Sequence, residues 1–151
     1  MSSPEGSTVT FRRVPAGFGR RRIERFAKKL QEEVAKGRAF DCLLTGDAEL
    51  RRLNQEFRGK DYATDVLSFP AGPHAEPGRM GDIAISLARA RAQGREFGHT
   101  AEQEVEILML HGLLHLSGMD HESDGGRMAR AEKRWRGRLG LPAGLIERVR
   151  P

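Results

Sequence analysis

The sequence predicts an α+β or mixed α/β fold: a small mixed sheet of about four strands packed with about five helices. Three observations predict it. Segments with a hydrophobic period of two alternate with segments of period 3.6 along one chain of 151 residues. Gly and Pro clusters separate those segments. The length fits a single domain, residues 1–151, large enough to close one core.

Taken in order, Thr8 to Val14 reads as a first strand. Arg20 to Lys36 reads as an amphipathic helix with Ile23, Phe26, Ala27, Leu30 and Val34 on one face, and Gly37 stops it. Its other face carries Arg20, Arg21, Arg25, Lys28 and Lys29, either a solvated face or a patch for RNA. Arg38 to Leu44 is the next strand, and Cys42 within it reads as a small buried hydrophobe. Asp47 is expected to cap a helix through Phe57 that buries Ala48, Leu50, Leu53 and Phe57. Asp65 to Phe69 is a short strand ended by Pro70, and Pro73, Pro77 and Gly78 mark a loop. Met80 to Ser86 is the fourth strand, followed by a helix from about Leu87 to Arg95. Thr100 and Gln103 form a capping box at the head of a helix that runs to about Ser117, where Gly118 stops it. A last helix is expected from about Ser123 to Leu139. Hairpin and crossover connections are both compatible with this order.

Composition narrows the function classes. The formal net charge is +5, which favours a polyanionic partner such as nucleic acid but also fits a basic protein without one. One cysteine allows no disulfide framework, which fits a reducing compartment. Met1 to Gly6 lacks an apolar core of a signal peptide, and no run approaches the roughly 18 apolar residues of a membrane span. The expected location is cytoplasmic, with no membrane partner.

The chemistry is concentrated in His111-Gly112-Leu113-Leu114-His115-Leu116-Ser117-Gly118-Met119-Asp120-His121. On a helix, His111 and His115 lie about 6 Å apart on one face. Two imidazoles there can converge on a metal about 2.0–2.1 Å from each nitrogen. Gly118 can take positive φ and turn the chain so that His121 returns as a third ligand. The H-x3-H-x2-G-x2-H spacing is that of the metzincin zinc proteases. Three His ligands leave a fourth position open, as in catalytic zinc sites; Cys42 or Asp120 closing it would make the site structural instead. One zinc ion is the expected cofactor, although imidazole also suits other divalent transition metals. Zincin proteases carry a general-base Glu directly after the first His, and here that position is Gly112. A base would have to come from elsewhere, with Glu104, Asp120 and Glu122 as candidates. Asp120 could also accept the second N–H of a ligand imidazole.

HGLLHLSGMDH closely resembles the H-G-x-L-H-L-x-G-Y-D-H signature of the bacterial YbeY family of endoribonucleases and ribosomal RNA maturation factors. Three further segments agree in order: Leu53-Asn54 through Phe57-Arg58-Gly59-Lys60-Asp61, Thr64-Asp65-Val66-Leu67-Ser68-Phe69-Pro70, and Gly81-Asp82-Ile83-Ala84-Ile85-Ser86. Met119 departs from the usual Tyr and leaves the ligand set untouched. The resemblance implies an α+β fold with a metal cleft at one end and zinc on His111, His115 and His121. It implies a metal-dependent hydrolase that matures ribosomal RNA, notably the small-subunit 3′ end, and serves ribosome quality control. Ribosomal RNA and the ribosome or its associated proteins are the implied partners. By position, Arg58 corresponds to the family's functional arginine. A guanidinium suits that role, because phosphodiester cleavage builds negative charge on oxygens that it can hold in a planar fork. The attacking group stays open between a metal-bound water and the ribose 2′-OH. Lys60 is a candidate RNA contact or an ordinary surface cation. Asp82 is a candidate second-sphere carboxylate or the cap of a turn. Two other readings stand beside this one: a ribosome-associated binding factor with a structural metal, and a metallohydrolase of another substrate.

Overall fold

The computed structural model describes residues 6–119 and 123–142. Four strands form one mixed sheet in the order β1-β2-β4-β3. Strands β1 (Thr8–Phe11) and β2 (Ala39–Thr45) run parallel, joined by the crossover helix α1 (Arg20–Glu33). Strand β2 is parallel to β4 (Arg79–Ser86), and β3 (Val66–Pro70) pairs antiparallel with β4. Both connection types allowed by the sequence therefore occur.

The alternation of side chains divides the sheet into two faces. Phe40, Cys42 and Leu44 of β2 and Ile83 and Ile85 of β4 join the main core, together with Ile23, Phe26, Ala27 and Leu30 of α1 and the central helix α4 (Ala101–Leu116). Helix α3 (Leu87–Phe97) closes that core through Leu87 and Ala90. On the other face helix α2 (Asp47–Arg58) covers Leu67 and Ala84 with Leu50 and Leu53. Helix α4 is buried on all sides from Glu104 to Leu114, so the sequence shows a continuous apolar run rather than a stripe. Its capping box is present as expected, with Gln103 N–H on Thr100 Oγ1 at 3.0 Å and Thr100 N–H on Gln103 Oε1 at 2.9 Å.

Several boundaries differ from expectation for local reasons. Strand β1 stops at Phe11 rather than Val14, since Arg13 takes φ 58° and turns the chain. Helix α1 ends at Glu33 rather than Lys36, where Lys36 and Gly37 both have positive φ. Asp47 does not cap α2. Gly46 is the N-cap, and the Asp47 carboxylate accepts from Ser86 Oγ and Arg89 Nε. The expected buried stripe of α2 is also narrower. Ala48 and Phe57 are exposed, while Asn54 is buried and donates to the Tyr62 carbonyl at 2.9 Å. Helix α5 (Arg127–Leu139) begins four residues later than Ser123, because Gly125 and Gly126 turn at positive φ. The Asp124 carboxylate then accepts from the Gly126 and Met128 N–H groups.

Candidate metal centre and cleft

His111 and His115 sit one turn apart in the last two turns of α4. Their rings meet edge to face, with centroids 4.9 Å apart and planes at 72°. Helix α4 ends at Leu116, and Gly118 turns at φ 92° with its N–H on the His115 carbonyl at 2.9 Å. That is the glycine break expected from the spacing. The expected third ligand, His121, and its neighbours Asp120 and Glu122 lie outside the described residues. Within the described residues no group of three or more His, Cys, Asp or Glu side chains is arranged to hold a metal.

A cleft of about 270 Å³ opens in front of the two histidines. It is lined by His111 and His115, by Val66, Ser68 and Pro70 of β3, by Asp65, and by Arg58. Arg58 occupies the last turn of α2, where Gly59 ends the helix at φ 67°. Its Nη2 donates to the Ser68 carbonyl at 2.9 Å, which ties the guanidinium to the strand that forms the cleft wall. Arg58 and the two histidines are far apart in sequence, and β3 brings them together.

Gly112 also acquires a physical reason. A Cβ built there would stand 2.9 Å from Ile83 Cγ2 and 3.2 Å from Ser68 Oγ. This position faces the sheet, not the cleft, and Ser68 Oγ donates to the Gly112 carbonyl at 3.1 Å. A protease-type Glu has no room here. Glu104 is not a substitute: it is wholly buried at the other end of α4, about 10 Å along the axis from His111.

Sequence reasoning missed Glu132. It lies on α5, is 1% exposed, and its Oε2 is 2.8 Å from His111 Nδ1. A carboxylate on Nδ1–H fixes the tautomer in which Nε2 is the nitrogen that would bind a metal. The buried carboxylate–imidazole pair at the cleft therefore fits a metal with nitrogen ligands. The only signal in the sequence is one acid within a run of arginines, Arg127 to Arg138.

Asp82 does not join this cluster. Ile83 points at α4, so its neighbour Asp82 emerges on the opposite face of β4. There it lines a second groove of about 440 Å³ with Asp41, Leu53, Phe57 and Phe69. Burial and the Asp41 carboxylate, its registered partner on β2, push the Asp82 carboxyl up, with Arg79 opposing. Arg79 itself is ion-paired with Asp41. Nor does Asp82 cap a turn, being inside the strand. Lys60 is exposed just past the end of α2 and is absent from the residues lining the cleft. Cys42 is buried in the core, and burial raises its thiol to about 12, with Asp41 adding to the shift. No helix among the described residues is long and apolar enough to cross a membrane.

The family model described as Endoribonuclease YbeY matches residues 16–140. An endoribonuclease YbeY of Solibacter usitatus is 72% identical over 99% of both chains. One of Koribacter versatilis is 44% identical over 89% of this chain and 86% of its own. A Thermotoga maritima protein solved in solution shares the architecture with a TM-score of 0.59 and 30% identity, covering 89% of this chain and 91% of that one. The matched region carries both cleft histidines, Arg58 and Glu132, and the chain belongs to the endoribonuclease YbeY family.

Proposed function

We propose that this chain is a metal-dependent endoribonuclease that matures ribosomal RNA in the cytoplasm and works on or near the ribosome. The observation that carries the reading is the convergence of Arg58 with His111 and His115 on one cleft. Zinc is the proposed metal, held by His111, His115 and His121. When bound, a divalent metal supplies Lewis-acid polarisation of a phosphoryl oxygen and lowers the pKa of a water. The protein's own groups do the rest. Glu132 orients the His111 imidazole. Arg58 binds the scissile phosphate, and its guanidinium stabilises the charge that develops on the non-bridging oxygens. The Ser68 carbonyl holds Arg58 against the cleft wall. With no carboxylate after His111, the cleft suits a phosphodiester better than a peptide bond.

The test is cleavage of structured ribosomal RNA by wild type, His115→Ala and Arg58→Ala purified identically. Wild type should cut. His115→Ala should lose stoichiometric metal and activity, and Arg58→Ala should keep fold and metal but lose cleavage. Equal cutting by all three would point to a contaminating nuclease, and cutting by none would favour a ribosome-binding factor whose metal is structural.

A further inference from the structure

Helix α5 has two unlike faces. Ala131, Trp135, Met128, Leu139 and Glu132 point inward, and Glu132 holds His111. The helix sequence RMARAEKRWRGRL contains six cations, and its single acid is that buried Glu132. At 100° per residue, Arg127, Arg130, Lys133, Arg134 and Arg138 fall within an arc of roughly 140° on the opposite side. All five are exposed.

Several arginines elsewhere on the molecule are ion-paired, while among the described residues Arg21, Arg25, Arg91 and Arg95 have no ion-pair partner. Arg12, Arg51 and Arg52 are neutralised by Glu49, Asp61 and Glu56, and Arg22 by Glu106. On α1 the basic residues are interspersed with Glu24, Glu32 and Glu33. Among the described residues none of the five α5 cations has an ion-pair partner, and Arg138 instead lies over the Trp135 ring at 5.2 Å. An array of like charges within one helix face repels itself and weakens the helix. Burial does not require it, because the inward face is separate. A polyanion relieves the repulsion.

We infer that the outer face of α5 is a rail for the phosphate backbone of the RNA. This rests on the endoribonuclease reading. The stripe from Arg127 to Arg138 is about 16 Å long. A stacked nucleic-acid strand presents about five phosphates over that length, at roughly 3.4 Å each. The cationic face shares its helix with Glu132, the buried carboxylate on His111 Nδ1, although no α5 residue lines the cleft itself.

The experiment measures binding of a fluorescent, unstructured 2′-O-methyl oligouridylate to the full chain as a function of salt. Three proteins are compared: wild type, Arg130→Gln/Arg134→Gln, and Lys28→Gln/Lys29→Gln as a matched loss of charge on α1. Each single-strand phosphate contact contributes about 0.7 to the slope of log affinity against log salt. The α5 pair should therefore reduce the slope by about 1.4, equal to about ten-fold weaker binding at 0.2 M salt relative to a 1 M reference. The α1 pair should bind as wild type does. An unchanged slope in the α5 pair, or an equal loss in the α1 pair, overturns the rail. The endoribonuclease reading survives either result as long as wild type cuts ribosomal RNA. Loss of binding to phosphatidylglycerol vesicles with RNA binding intact would also overturn it, in favour of an anionic membrane. Failure of wild type both to bind and to cut RNA would sink the endoribonuclease reading and the rail with it.

Discussion

Replacing Gly112 with Ala adds one methyl group beside the first cleft histidine, and two effects oppose each other. In a solvated helix the change stabilises by about 1 kcal/mol, because Gly loses more backbone freedom on folding. Here the new Cβ meets Ile83 Cγ2 at 2.9 Å, Ser68 Oγ at 3.2 Å and Ile83 Cδ1 at 3.3 Å. Ile83 is 1% exposed, and its Cγ2 is fixed to a branched Cβ that cannot swing away without a change of rotamer. Overpacking of this kind costs about 1–3 kcal/mol. Moving α4 outward would instead stretch the bond from Ser68 Oγ to the Gly112 carbonyl, worth about 1 kcal/mol. Set against the gain of about 1 kcal/mol, the expected net loss is about 0–2 kcal/mol, read as a lower urea midpoint at unchanged slope. In an Ile83→Ala background only the Ser68 Oγ contact at 3.2 Å remains, so most of the penalty should vanish there as a coupling energy. A Gly112→Ala protein more stable than wild type by the full solvated-helix gain of about 1 kcal/mol, or an equal change in both backgrounds, would refute the close-approach account.

Other consequences are checked separately. Glu132→Gln keeps the volume but removes the carboxylate from His111 Nδ1. It should weaken zinc binding by about 10–100-fold in competition with a chromophoric chelator while leaving the far-ultraviolet spectrum alone, and unchanged affinity would remove Glu132 from the site. Cys42, buried with its thiol pushed up to about 12, should resist alkylation at pH 8 until urea unfolds the chain; labelling at the rate of a free thiol would contradict the core placement. Asp82 has a folded-state pKa above its unfolded one, so the native state holds its proton longer. Its contribution to stability is therefore full below the unfolded value, about 3.9, and is lost as pH rises from there through the higher folded value. Asp82→Asn should gain on wild type toward neutral pH and lose that gain below about pH 4, and a difference independent of pH would count against the assigned cause.

Periodicity and punctuation were enough to locate every strand and helix among the described residues, because amphipathic patterns and Gly turns are local properties of the chain. The histidine pair and the Gly118 turn were equally legible, since one helical turn fixes the spacing of His111 and His115. Arg58 was legible through motif resemblance, and its place in the cleft required β3 to bring α2 and α4 together. What pairing and alternation decide was not local. A strand pattern does not say which face meets which layer, so Asp82 fell on the side away from the histidines. Phe57 continued the apolar stripe of α2 yet stands 62% exposed, because α2 covers only part of its sheet face. Glu132 looked like one more charge in a basic helix. Only the docking of α5 against α4 made it the partner of His111, since a buried carboxylate must find a donor and the nearest is an imidazole on another helix.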